Sequence, residues 1–110
     1  MIKGLPEFED IKKMKKQELL ELKKSLENKI QTRKTKLPKL IKNYETVSKK
    51  YAEPKNAIEK SEVALAYNEI ANTRVEIGIL ESYIREINEN LEIIKAVEAF
   101  RAQNQPGSGE

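Results

Sequence analysis

The chain has 110 residues, 35% of them charged and 5% aromatic, with four glycines, four prolines and a formal net charge of +3. That length suits one folding unit, and the composition suits long solvated helices better than a sheet. Histidine, cysteine and tryptophan are absent, which excludes disulfides, the common zinc, haem and iron–sulfur sites, and the Ser-His and Cys-His nucleophile pairs.

The small net charge conceals a division. Residues 1–55 carry 16 Lys/Arg against 8 Asp/Glu, a net of +8, and residues 56–110 carry 5 against 10, a net of −5. Such asymmetry belongs either to a basic arm that seeks nucleic acid or to two helices that pair with each other. The opening stretch, MIKGLPEFED, has no apolar export-signal core. The longest apolar run, VALAY at 63–67, is far below the ~20 residues needed to span a bilayer. The expectation is no membrane insertion and a location in the cytoplasm or within a larger particle.

In chain order, PEFEDIKKMKKQELLELKKSLENKI places Phe8, Ile11, Leu19, Leu22, Leu26 and Ile30 at helical spacing, with acidic Glu7, Glu9 and Asp10 where a helix N-terminus favours anions. This reads as helix with a break near Lys15. Next comes RKTKLPKL at 33–40, where Pro38 lacks an amide hydrogen and clashes with the carbonyl four residues back. A joint is expected there, either a kink or a new helix with Thr35 as its cap. Leu40, Ile41, Tyr44, Val47 and Tyr51 resume the pattern, and Pro54 in AEPKN marks a reversal.

The second arm begins after Pro54 with Asn56 as a plausible cap. From Val63 onward apolar residues hold a heptad: Val63, Ile70, Ile77, Ile84 and Leu91 at position a, and Ala66, Leu80, Ile87 and Ile94 at position d, with Thr73 the one weak slot. A strand would alternate with period two, so this is a coiled-coil-like helix. Further apolar residues at positions c and g widen the face beyond a two-helix seam. Proline and glycine in NQPGSGE end the helix, leaving residues 104–110 as a flexible tail to a single domain over 1–103.

Arms of nearly equal length about one turn predict an all-α fold: a long antiparallel helical hairpin, coiled-coil-like, with the first arm broken near Pro38 and a three-helix arrangement as the variant. A finer match concerns the seam. Ala57, Ala64, Ala71 and Gly78 lie seven apart on the second arm and, reflected about position 54, fall opposite Tyr51, Tyr44, Leu37 and Ile30. Large side chains set against small ones would let the helices approach closely, whereas the plain alternative is that alanine is a good helix former. Glu62, Glu69 and Glu76 share a heptad position and are expected to face the basic arm.

In architecture alone, such a hairpin resembles the small secreted WXG-type effectors, whose Trp-x-Gly turn is replaced here by YAEPKN. Prefoldin-type hairpins insert β-strands at their base, and no alternating β-branched run occurs here.

These features point to a non-enzymatic structural or adaptor protein that acts through helix–helix contacts with a protein partner or with itself, as a homo-oligomer or part of a larger assembly. No catalytic residue, cofactor or metal is expected. The triad Glu86, Glu89 and Glu92 at i, i+3 spacing reads as a solvated face, because nothing upstream completes a cation site. Apolar density is greatest on the far part of the second arm, so the expected protein interface is Ile79, Tyr83, Ile93, Val97 and Phe100. The alternative function is sequence-independent contact with nucleic-acid phosphates through Lys12, Lys16, Lys23, Arg33, Lys34, Lys36 and Lys39. A cluster of this kind, nearly all lysine and without aromatic platforms, is ill suited to reading bases.

Overall fold

The computed structural model describes residues 2–104, which form three helices and no strand: α1 (Phe8–Lys13), α2 (Lys16–Lys50) and α3 (Ala57–Asn104). The two long helices run antiparallel about the turn at Tyr51–Asn56, giving a rod of 83 × 22 × 15 Å. Residues 105–110 of the expected tail lie outside the described residues, and Asn104 is the last residue of α3.

The start of α3 is set by Asn56. Its Oδ1 accepts the Glu59 amide at 2.9 Å, capping the helix, and its Nδ2 donates to the Glu59 carboxylate at 3.3 Å, which holds the capping side chain in place. Along the helix, Ala66, Ile70, Thr73, Ile77, Leu80 and Ile87 are buried, and Val63, Ile84, Leu91 and Ile94 are half-buried. The heptad read from sequence is therefore the seam. Thr73 fits the seam because its hydroxyl donates to the Glu69 carbonyl at 2.7 Å, satisfying a polar group that burial would otherwise penalise. Across the seam α2 supplies buried Leu19, Leu26, Ile30 and Leu40.

The break expected at Pro38 does not occur: α2 is one helix from Lys16 to Lys50 with Pro38 inside it. Pro38 is exposed on the outer face, so the Lys34 carbonyl that loses its amide donor can be hydrated, and packing on α3 holds the helix on both sides of the proline. Thr35 is accordingly mid-helix, accepting from the Gln31 side chain at 3.4 Å rather than capping.

The small-residue match is overturned as well. Ala57, Ala64 and Gly78 are exposed, Ala71 is half-buried, and a Cβ added at Gly78 would meet nothing within 4 Å. The seam runs through positions a and d, and the small residues occupy position b beside it. The register is marked instead by Arg33, whose Nε and Nη2 both donate to Glu76 Oε2 at 3.2 and 3.1 Å, by Lys34–Glu81 at 3.9 Å, and by Lys16–Glu98 at 3.5 Å. Of the three glutamates expected to face the basic arm, Glu76 does so; Glu62 and Glu69 are exposed.

The break near Lys15 is real. Met14 and Lys15 are extended (ψ 146° and 159°), and the chain turns back so that α1 lies against α3. Ile11 is fully buried with Leu19, Leu26, Leu80 and Ile87, while Ile2, Leu5 and Met14 pack around them half-buried. Three helices thus meet only at the end of the rod away from the turn, where the core is widest. Burying a side chain such as Leu80 there contributes ~1.5–3 kcal/mol, a gain the two-helix section supplies only partially.

Candidate functional site

Positions c and g of α3 lie beside the a/d seam, g bordering α2 closely enough for Glu76 to hold Arg33. They hold Ile79, Ile93 and Phe100 at c, and Tyr83 and Val97 at g. The structure divides these five residues. Ile79 and Tyr83 are half-buried, and the Phe8 ring meets Tyr83 edge-on, with centroids 4.8 Å apart and planes at 82°. Such aromatic pairs are worth about 0.5–1.5 kcal/mol beyond their area. Ile93, Val97 and Phe100 have no such cover and are 61%, 41% and 66% exposed. The interface expected from sequence is therefore an intramolecular contact at Tyr83 and a solvent-facing apolar strip at Ile93, Val97 and Phe100.

Sequence reasoning missed two things here. It placed Phe8 and Ile11 in the first arm's seam, whereas they form a strap across the second arm. It also passed over Ile58, which is exposed on the same heptad position as Leu65, Ile79, Ile93 and Phe100. The signal was present in the numbering, since 58, 65, 79, 93 and 100 differ by multiples of seven. Asn72 and Glu86 interrupt that series.

Ion pairing separates the basic residues. Lys12 pairs with Glu9, Lys16 with Glu98 and Lys34 with Glu81 within 4 Å, and Arg33 is held by Glu76, that last pair being only 23% and 24% exposed. Arg33 also donates through Nη1 to the Lys29 carbonyl at 3.2 Å, so its guanidinium is engaged on three nitrogens. Lys23 is half-buried along the seam. Lys36 and Lys39 are exposed on α2. The fold brings the seven cations onto one helix pair but not into one cradle.

Glu86 is half-buried and accepts from Asn90 Nδ2 at 3.3 Å, while Glu89 and Glu92 face solvent. Among the described residues no group of three acidic side chains is arranged to hold a metal ion, and no helix is long and apolar enough to cross a membrane. A shallow depression of about 550 Å³ runs along the polar face of α2 from Glu21 to Arg33, and another of about 370 Å³ lies between the arms beside Ile30 and Ile84. Both are open to solvent, and neither is lined by a cluster of nucleophile and base. Comparison with protein families, with curated proteins and with solved structures returns no match to this chain.

Proposed function

We propose that this chain is a non-enzymatic structural or adaptor protein that works by helix–helix association, with the c/g face of α3 as its contact surface. The observation that carries this reading is the strip of Ile93, Val97 and Phe100, three large apolar side chains on one face at the end of a thin rod. Exposed apolar residues are ordinary when scattered, but grouped on one helical face they lose free energy to water that an apposed helix would recover. A rod of this thickness has little interior of its own, which makes association the natural route to burying that strip.

The test is the double substitution Ile93→Asp with Phe100→Asp, followed by multi-angle light scattering, partner capture and circular dichroism. The expected outcome is loss of oligomer or partner with helicity retained, because neither side chain belongs to the seam. Unchanged mass and unchanged capture would place the interface elsewhere. Lys36 and Lys39, exposed and without an ion pair among the described residues, support the second reading of weak phosphate contact. Its signature is duplex binding at low salt that collapses by physiological salt.

A further inference from the structure

The link between α1 and α2 bends at the interruption near Lys15, where the sequence carries no strong helix breaker. From Asp10 to Leu20 the residues are DIKKMKKQELL, without glycine or proline, and Met14, Lys15 and Lys16 are all good helix formers. Yet Met14 and Lys15 are extended, and their φ values of −72° and −74° show no strain that would hold them so. Two things bend the chain: a local cap, in which the Lys15 amide donates to Glu18 Oε1 at 3.1 Å, and the packing of Ile11 against α3 with Phe8 set on Tyr83. The strap itself is one six-residue helix without a side-chain cap, far below the length at which a helix is stable alone. The bend is therefore held by one exposed backbone cap and by the packing of a short strap, a weakly held hinge that can open locally into a second arrangement.

In the docked arrangement α1 runs beside α3 in the same direction, since Phe8 meets Tyr83 and Lys16 meets Glu98. If Met14 and Lys15 became helical, Phe8 would move to about 12 Å beyond Lys16 along the α2 axis, given the 1.5 Å rise per residue. It would then project past its own Glu98 and lie far from its own Tyr83. Only another molecule could bury Ile11 again and return an aromatic partner to Phe8, which stays 41% exposed even when docked. We propose that the strap, residues 2–13, exchanges between two copies of this chain: it straightens into α2 and docks on the identical seat of the second copy's α3, giving a two-fold dimer.

Two further observations favour a second copy as the occupant. The exposed strip of Ile93, Val97 and Phe100 continues the seat along the same c/g face, so a straightened helix leaving that seat passes over it. The docked seat is thus continuous with the surface that the exchange would cover. The charges also match, because Lys13 and Lys15 of the straightened helix travel beside an acidic part of α3, with Glu86 at position c and Glu89 at the neighbouring position f. Exchange of an element between identical protomers reuses contacts already present in the monomer, which makes it a low-cost route to a dimer.

The proposal rests on association through α3 and is tested separately from it. Lys16→Pro puts proline at the first position of α2, where it is tolerated and where Lys15 is already extended, but it forbids a continuous helix. The wild type is expected to show twice the chain mass in light scattering at high concentration, and Lys16→Pro a single chain mass with unchanged helicity. The chain has no cysteine, so Phe8→Cys chains can be mixed with Tyr83→Cys chains and treated with a short bis-maleimide. A covalent heterodimer that disappears when Lys16→Pro is added to both chains supports exchange. A Lys16→Pro protein that stays dimeric overturns exchange and leaves association through α3 standing. A wild type of single mass at every concentration, with no heterodimer, overturns exchange outright. A dimer that survives Ile93→Asp with Phe100→Asp tells instead against the α3 contact face.

Discussion

Gly78 is the position at which packing and propensity can be separated by one substitution. It lies in the middle of α3, exposed, and an added Cβ would meet nothing within 4 Å. With no packing to gain or lose, Gly78→Ala should change stability by the helix propensity difference alone, about 0.8–1.0 kcal/mol in favour of alanine. Part of that gain arises in the unfolded chain, which loses freedom when glycine is replaced. The Ser82 hydroxyl donates to the Gly78 carbonyl at 3.0 Å, a backbone contact the substitution leaves in place. In urea unfolding at fixed protein concentration, a slope of roughly 1–3 kcal/mol/M converts the gain into a midpoint rise of about 0.3–1 M with unchanged slope. The thermal midpoint should rise by about 4 °C. Destabilisation by 1 kcal/mol or more would mean that α2 approaches Gly78 closely, and would restore the reading in which small residues on α3 seat large ones on α2.

Other substitutions probe the remaining links. Pro38→Ala should stabilise by roughly 2–3 kcal/mol, since it returns an amide donor to the Lys34 carbonyl in an exposed helix interior; amide exchange should show residue 38 protected, and a loss of stability would show that the proline is needed. Leu80→Ala, at a fully buried site, should cost about 2–5 kcal/mol, whereas Leu65→Ala on the exposed face should stay within about 0.5 kcal/mol. Similar effects at both positions in denaturant unfolding would contradict the assigned seam. A double-mutant cycle of Arg33→Ala and Glu76→Ala should give a coupling of about 1 kcal/mol, larger than for the exposed Lys34–Glu81 pair. Equal couplings would remove Arg33–Glu76 as the register mark.

What could be read in the residues was whatever a helix encodes locally. The a/d heptad from Val63 to Ile94, the Asn56 cap, the reversal at Pro54 and the interruption near Lys15 all stand in the structure, because period, caps and turns depend on neighbours within one or two turns of the chain. The candidate surface was legible in part for the same reason: Ile93, Val97 and Phe100 lie beyond what an a/d seam can cover.

Tertiary structure decided the rest. A heptad count cannot tell position b from the seam, so the series Ala57, Ala64, Ala71, Gly78 looked like a set of sockets until the interlocking of Leu26, Ile30, Ile77 and Leu80 fixed which faces meet. The effect of Pro38 depends on which way its missing amide faces; turned outward on a helix held along its length by α3, it interrupts one hydrogen bond and not the helix. The place of Phe8 and Ile11 was open too, since an interruption near Lys15 does not fix the direction in which the chain leaves it. The chain turns back onto α3 there because that direction buries Ile11 and sets Phe8 on Tyr83, contacts a straight helix would not reach within one copy.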